Sequence, residues 1–385
     1  SVDESRFLRG GGATFKLGKI DATAFYSYKK IDANVDAVDS LSDDNEVLAV
    51  TSLQQTGMHR TVNELEDKGV ITQRNIGGHL GYKTRKLSLG LTGINSNINT
   101  DFTPAIQTYS QFRNVENNQT KLGADYNWIF KNFNFFGEFS KSIDAGSAFV
   151  SGALITLDPK FSVAVLYRDY DRDFQPISSA GLGEGSTNEN EKGMYMGFIA
   201  KPIKKFTLSA YYDQFTFPWL KFGINAPSGG YQFLGQLTYK PSKKMEMYIR
   251  IREKDKLENT GVDLTEGIDY LVHEKQTNYR FHYSYKVSES FKLKGRVELI
   301  NYNKEEVPFE TGYLIYQDIL FKTKKLPFSF AFRYAIFDTE SFNSRIYAYE
   351  NDVLYAFSIP AYSNRGVRTY LTVRYHIKRG VDLWL

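Results

Sequence analysis

The fold is decided by the alternation of apolar and polar residues in the stretch Met245-Glu246-Met247-Tyr248-Ile249-Arg250-Ile251-Arg252. Side chains along a β-strand point alternately to its two faces, so this stretch places its Met and Ile side chains on one face and its charged side chains on the other. The same period of two recurs at residues 20–28, 87–91, 278–287, 291–299 and 328–336. No helical period fits these stretches, and the chain is therefore predicted to be all-β.

The composition narrows the class further. The chain has 385 residues and no cysteine, with 48 Lys and Arg against 44 Asp and Glu. Without cysteine, the chain has no disulfides, thiol nucleophiles or cysteine-ligated metals. A mean hydropathy of −0.41 and the lack of a long apolar run exclude transmembrane helices, each of which needs about 20 apolar residues. The 27 Tyr and 29 Phe are too many for a disordered chain, and the net charge of +4 gives no reason to expect nucleic acid.

Connections of two lengths separate the predicted strands. The short ones are polar turns, at Gly18-Lys19, Arg85-Lys86, Lys131-Asn132, Asp158-Pro159-Lys160, Lys204-Lys205, Ser242-Lys243, Ser288-Glu289-Ser290 and Lys324-Lys325. The long ones are polar loops, at Asp32–Thr72, Asn99–Asn117, Asp171–Asn190 and Asp255–Lys275. Short turns that alternate with long loops are typical of outer-membrane barrels, which place the turns in the periplasm and the loops outside. A soluble β-sandwich or propeller is the alternative, but it does not require this rhythm or an apolar face on every strand.

We therefore predict one large antiparallel transmembrane β-barrel domain over residues 1–385, in the outer membrane of a Gram-negative bacterium. We expect about 18–20 strands of about 10 residues each, and more in the full protein. A closed sheet pairs every backbone group within the hydrocarbon, and lipid and lipopolysaccharide would surround its apolar face. Ser1 opens directly into polar sequence and Val381–Leu385 begins an alternating strand that cannot finish, so the chain is predicted to be a fragment that lacks an upstream periplasmic region and terminal strands. The pattern at residues 349–352 fits either a turn or a mid-strand position.

Several stretches resemble Bacteroidota outer-membrane proteins that carry helix-hairpin-helix domains. They are residues 1–10, His59-Arg60-Thr61 with Glu64-Leu65, Asn190–Tyr195, Phe215–Leu220, Asn225–Tyr231 and Val381–Leu385. In that family a helical N-terminal region with helix-hairpin-helix repeats precedes the barrel, which agrees with a missing upstream segment. The resemblance implies location and architecture, and it carries no biochemical activity or cofactor.

The polar faces of four predicted strands are basic. If the apolar faces meet lipid, the following side chains face the lumen and are candidates for a pore lining: Glu246, Arg250, Arg252, Arg280, His282, Lys286, Lys292, Lys294, Arg296, Arg368, Arg374 and His376. In a wide barrel they would favour anions. The alternative is that they pair with lumen carboxylates such as Glu246, Glu298 and Asp213, or with an internal plug.

Other motifs predict local structure more than chemistry. Thr61-Val62-Asn63-Glu64 is a capping-box pattern and Gly69 a helix stop, so the loop at residues 32–72 is expected to be extracellular and to carry a short helix near residues 61–68. The alternating Asp169, Asp171 and Asp173 lack the other ligands of a calcium loop and are interpreted as an acidic rim. Gly181–Ser186 has no following Lys and is interpreted as a flexible loop, not a phosphate cradle.

No catalytic, cofactor or metal site is predicted. The five histidines, His59, His79, His273, His282 and His376, have no nucleophile or metal spacing, so an enzyme is not expected. Two functional hypotheses remain. The preferred one is an accessory or scaffold subunit of an envelope complex for secretion or outer-membrane protein assembly, with other outer-membrane or periplasmic proteins as partners. The other is a diffusion channel or transporter with a basic, anion-favouring lumen.

Overall fold

A computed structural model of the chain describes residues 7–39, 46–54, 57–112, 116–175, 179–261, 269–323, 326–353 and 356–385. The strands are β1 (Gly10–Leu17), β2 (Ile20–Asp39), β3 (Glu46–Gln54), β4 (Ile71–Lys83), β5 (Leu87–Ile98), β6 (Asp101–Phe102), β7 (Asn118–Phe130), β8 (Phe133–Ser142), β9 (Ser147–Asp158), β10 (Phe161–Tyr170), β11 (Glu191–Ala200), β12 (Phe206–Phe217), β13 (Ser228–Ser242), β14 (Met245–Asn259), β15 (Leu271–Lys286), β16 (Phe291–Lys304), β17 (Glu310–Lys322), β18 (Phe328–Thr339), β19 (Ile346–Tyr347), β20 (Ala361–Tyr362), β21 (Arg365–Lys378) and β22 (Val381–Trp384). Twenty of them belong to one sheet, and β19 and β20 form a separate pair.

The helical content of the described residues is small. It consists of α1 (Val62–Glu66) and a 3-10 turn at Thr108–Ser110. None of the described helices is long and apolar enough to cross a membrane.

The chain divides into two compact units. The first comprises Ser1–Ile155, Ala164–Met194 and Phe215–Pro227, and the second comprises Thr156–Val163, Tyr195–Gln214 and Ser228–Leu385. In the first unit, consecutive antiparallel pairs run from β1 through β2, β4, β5, β7, β8 and β9. In the second unit, they run from β13 through β14, β15, β16, β17, β18, β21 and β22.

The register of the second unit aligns apolar side chains across six strands. One row runs Ile249, Phe281, Val297, Ile315, Ile336 and Val367. Ile249 is 57 % exposed and Val367 is 60 % exposed, whereas Arg250 and Arg280 on the other side of the sheet are half-buried and Arg296 and Glu298 are buried. We call these two sides of the sheet the apolar face and the polar face. A water-soluble protein would cover such an apolar face, whereas the lipid-facing side of a membrane barrel exposes it. The predicted fold class, a large antiparallel outer-membrane β-barrel, is confirmed.

Local structure confirms several predicted connections. The turn Gly18-Lys19 joins β1 to β2, with Gly18 in the left-handed region at φ +62°. Thr61 caps α1 through a complete capping box with Glu64, and Gly69 follows at φ +62°. The predicted turn at residues 324–325 lies outside the described residues, as do residues 1–6 and parts of the four predicted long loops.

The prediction of a loop over residues 32–72 is wrong for most of the described part of that stretch. β2 continues to Asp39, pairs with β3, and β3 pairs in parallel with the two residues of β6. A small apolar cluster of Ala33, Val50, Ile71 and Ile98 is buried between these strands. The extension arises because apolar residues alternate within this stretch too, among enough polar ones to mask the pattern. Likewise β14 extends to Asn259 and β15 begins at Leu271, so the loop predicted at residues 255–275 is shorter.

Candidate functional site

The polar face of β14, β15 and β16 brings together most of the predicted site residues. Arg250 on β14 lies directly opposite Arg280 on β15, which lies opposite Glu298 on β16. In the next row, His282 lies opposite Arg296. The alternation of each strand puts all these side chains on the same side of the sheet, because their positions differ by even numbers. The sequence prediction placed them on one face, and the register now specifies which of them are neighbours.

One buried carboxylate serves two guanidinium groups in this region. Arg280 Nε donates to Glu298 Oε2 at 2.6 Å, and Arg296 forms an ion pair with the same carboxylate. The side chains of Arg296 and Glu298 are only 6 % and 2 % exposed. The predicted pairing with lumen carboxylates therefore holds for Glu298, but one carboxylate cannot neutralise two cations.

Three further cations on this face form no ion pair with an acidic side chain of the described residues. Arg250 Nε donates to the amide oxygen of Gln236 at 2.8 Å, and Arg252 Nη2 donates to that of Gln232 at 2.7 Å. Lys294 Nζ has no hydrogen bond or ion pair with any described residue. Amide oxygens satisfy hydrogen bonds without cancelling charge, so the polar face of β14–β16 keeps an excess of positive charge.

The remaining predicted residues of these strands lie close to the short turns. Lys286 and Lys292 lie opposite each other beside the β15–β16 turn, and Lys286 Nζ lies 2.6 Å from Glu289. The hydrogen bond and the charge of Lys286 hold the pKa of Glu289, which lies in the turn, below its ordinary value. Glu246 pairs with Lys240 at 2.6 Å, not with an arginine.

The basic residues of β21 form a separate arrangement. Arg374 and His376 both contact the carboxylate of Asp382 on β22, at 2.8 Å each. Arg368 pairs with Glu350 at 2.8 Å. Because β17 and β18 lie between β16 and β21 in the sheet, this group is not part of the β14–β16 cluster. Its charges are locally paired, as the alternative interpretation of the sequence proposed.

A segment between β18 and β21 packs on the polar face. We call residues 340–353 and 356–364 the docked segment. It contains the β19–β20 pair, and its Ile346, Ala348 and Tyr362 form one buried apolar cluster with residues of the sheet beneath, which are Ile300, Leu314, Tyr316 and Ala335. Residues 349–352 are thus neither a turn between sheet strands nor a mid-strand position, because they belong to this segment.

Arginines of the sheet hold the docked segment by its backbone. Arg296 Nη2 donates to the carbonyl oxygen of Tyr347 at 3.1 Å, and Arg333 Nη1 donates to that of Tyr349 at 2.8 Å. From β21, the Thr372 hydroxyl donates to the carbonyl oxygen of Asn351 at 3.1 Å. The contacts to Arg333 and Thr372 reach the middle of their strands, so the segment covers part of the polar face and not only its edge.

Sequence reasoning missed the central role of Arg333, Asp318 and Tyr316. A signal did exist, in the consecutive apolar pairs Leu299-Ile300 and Leu314-Ile315. Consecutive apolar residues break the period of two and predict a strand that is buried on both faces. At these positions the second face is the one beneath the docked segment.

The other predicted motifs serve local structure. Asp171 accepts hydrogen bonds from the Ser147 backbone and hydroxyl, and Asp169 pairs with Lys192. The described residues contain no group of three or more His, Asp or Glu side chains that could hold a metal ion. The backbone N–H groups of Glu184 and Gly185, within the predicted flexible loop, donate to the buried Glu191 carboxylate. The backbone of this loop therefore binds the Glu191 carboxylate of the same chain.

Solved structures of outer-membrane proteins resemble this chain weakly. OmpT of Vibrio cholerae is 12 % identical over 94 % of this chain and 99 % of that protein, with a TM-score of 0.40. OccK8 (OprE) of Pseudomonas aeruginosa is 9 % identical over 85 % and 87 %, with a TM-score of 0.41. A BenF-like porin from Pseudomonas fluorescens Pf-5 is 10 % identical over 97 % and 90 %, with a TM-score of 0.43. No family model and no curated protein matches the chain. Likenesses at this level carry no functional information.

Proposed function

We propose that this chain is an outer-membrane channel for small anions, lined by the polar face. The exposed apolar face suits lipid, which leaves the polar face for water. The observation that carries the proposal is that Arg250, Arg252 and Lys294 form no ion pair with a carboxylate of the described residues, since the two arginines bind amide oxygens and Asp318, opposite Lys294, is bound by Arg333. Positive side chains along an aqueous path raise the local concentration of anions and favour their passage.

The docked segment supplies the constriction in this proposal. It covers mid-strand positions of the polar face, held by the apolar cluster around Ile346 and by the two arginine–carbonyl contacts. A segment bound by both apolar packing and buried charged donors is fixed in place, since each undone contact would leave a buried group unpaired. A fixed constriction beside a cationic surface would select solutes by both size and charge.

Reversal potentials of the full-length protein in planar bilayers test the proposal. Under a KCl gradient we expect the reversal potential to lie close to the equilibrium potential of chloride. We expect the double variant Arg250→Glu/Arg252→Glu to move the reversal potential towards the equilibrium potential of potassium. These two arginines are suitable because they bind neutral amides, so their replacement leaves no buried carboxylate unpaired. Arg365→Glu is the matched control, because Arg365 is exposed on the apolar side of β21. Absence of a pore would contradict the channel, and equal selectivity in all three proteins would contradict a lining by these two arginines.

The accessory-subunit hypothesis stays a prediction. It rests on the family resemblance and on the capped helix α1, which is ordered at Val62–Glu66. Mild-detergent purification of the full-length protein from its own outer membrane, with stoichiometry by mass spectrometry, tests it. Recovery with partners in near-equal amounts would favour a complex subunit, and recovery alone would remove its main support.

A further inference from the structure

Two buried polar atoms in adjacent positions on the polar face have no hydrogen-bond partner in the described part of the chain. His282 and Arg296 are directly opposite each other on β15 and β16. His282 Nδ1 and Arg296 Nε are both buried, and neither has a partner among the described residues. The Arg296 side chain is 94 % buried, since only 6 % of it is exposed. Buried polar groups are almost always paired. Arg296 Nε can only donate, so it calls for an acceptor, and His282 Nδ1 can donate to the same acceptor in its Nδ1-protonated tautomer.

The missing acceptor is not supplied by the nearby acids. Glu298 is already bound by Arg280 and Arg296, and Asp318 by Arg333. Arg296 lies directly opposite the imidazole, and Arg280 and Lys294 lie two positions from this pair along β15 and β16 on the same face. A group that occupies this position therefore meets an environment of net positive charge.

An aromatic ring and two further cations flank this pair. The Tyr248 ring lies beside the His282 ring, with centroids 5.1 Å apart, and Arg250 lies over Tyr248 at 5.1 Å from its centroid. Lys294 is two positions along β16 from Arg296, on the same face. The three basic side chains thus lie on one face of two adjacent strands, and an aromatic ring of the third strand lies beside the imidazole.

We infer that His282, Arg296 and Lys294 form a binding subsite for a multiply charged oxyanion of phosphate or dicarboxylate chemistry. Oxygen atoms of such an ion accept from the imidazole, guanidinium and ammonium groups at once, and charge-assisted bonds of this kind are the strong ones. A chloride ion offers one centre and one charge, so it fills the subsite less well. The inference deepens the proposed function, because it requires that solutes reach the polar face.

Block of the chloride current by inorganic phosphate tests the subsite. The full-length protein is measured in planar bilayers in 0.1 M KCl at neutral pH, with phosphate and, separately, succinate as probes. We expect both to reduce the current at concentrations where acetate does not. Lys294→Gln and His282→Phe should each raise the half-blocking concentration about three- to tenfold, the value of one or two lost hydrogen bonds. Arg365→Gln should leave it unchanged.

The outcomes separate this inference from the channel itself. The subsite is wrong if phosphate and succinate block an anion-selective pore no better than acetate does, or if they block all variants equally. Either result leaves the proposed channel unaffected. If no pore forms, calorimetric titration of phosphate into the purified protein tests the subsite by itself. Phosphate binding that is weaker in Lys294→Gln would support the subsite without the channel, and binding that is absent or unchanged would overturn it. Heat-modifiable migration on gels confirms that each variant is folded before either measurement.

Discussion

Arg333 on β18 and Asp318 on β17 lie directly opposite each other, and the guanidinium binds both carboxylate oxygens, through Nε at 2.6 Å and Nη2 at 2.8 Å. The same guanidinium lies 3.8 Å from the Tyr316 ring centroid and donates to the carbonyl oxygen of Tyr349. One side chain therefore ties the sheet to the docked segment. Its pair with Asp318 is what keeps its charge tolerable in a buried position.

Asp318→Asn should destabilise the protein strongly. The substitution removes the counter-ion of a guanidinium that is 1 % exposed, and breaking a buried ion pair costs about 3–5 kcal/mol. Denaturant unfolding of the detergent-solubilised protein measures the loss of unfolding free energy. Asp338→Asn is the control, because that carboxylate lies 3.7 Å from the exposed Arg365 and should cost less than about 1 kcal/mol. Equal losses in the two variants would contradict a structural role for the buried pair.

Ile346→Asp should release the docked segment. Ile346 is 1 % exposed within the apolar cluster, and an unpaired carboxylate cannot remain there without a large desolvation cost. If the polar face lines a channel, the single-channel conductance should rise, because the segment no longer covers that face. Phe357→Asp, at a side chain that is 76 % exposed in the same segment, should leave conductance unchanged. A folded Ile346→Asp protein with wild-type conductance would argue against a constriction.

Glu191→Gln should destabilise the first unit, and a second substitution should restore part of the loss. Arg168 Nε lies 2.6 Å from Glu191, and both side chains are fully buried. The single variant removes the Glu191 charge from a buried ion pair, and breaking such a pair costs about 3–5 kcal/mol, whereas an apolar pair avoids that penalty. We therefore expect Arg168→Met/Glu191→Leu to unfold at a higher denaturant concentration than Glu191→Gln.

The loop at residues 181–188 provides an independent readout of the same contact. The Leu substitution of the double variant removes the acceptor for the backbone N–H groups of Glu184 and Gly185, whereas Glu191→Gln leaves one amide oxygen in place of the carboxylate, so hydrogen exchange there should accelerate most in the double variant. A Glu191→Gln protein as stable as the wild type would contradict this role of Glu191.

The start of helix α1 should depend on pH through Glu64. The hydrogen bond from the Arg60 side chain, with those from the Arg60 and Thr61 backbone, lowers the pKa of Glu64. A lowered pKa in the folded state means that the stabilisation is complete above the ordinary pKa of glutamate and is lost as the pH falls through the lowered value. Hydrogen exchange at residues 60–64, corrected for intrinsic rates, should therefore accelerate in acid. Glu64→Gln should remove this pH dependence, and a variant with an unaltered profile would contradict the assignment.

Much of the fold could be predicted because its signals are local. The alternation in Met245–Arg252 specified a strand and its two faces, and the structure places Ile249 outward and Arg250 on the polar face. The capping box at Thr61 and Glu64 and the turn at Gly18 are equally local and were predicted with their residues. The stretch at residues 32–72 is predicted as a loop because its many polar residues mask the apolar residues that alternate in β2 and cluster in β3.

By itself, the sequence determined the class of fold, the position of most strands and the basic character of one face, because each depends on the order of residues along a single strand. Only the tertiary structure decided which charges meet. The register sets Arg250 against Arg280, gives Glu298 two arginines and leaves Arg250, Arg252 and Lys294 without an acidic partner among the described residues. It also decided that the docked segment covers Ile300 and Leu314. These pairings join residues far apart in the chain, and their energies depend on distances and burial that exist only once the strands are aligned.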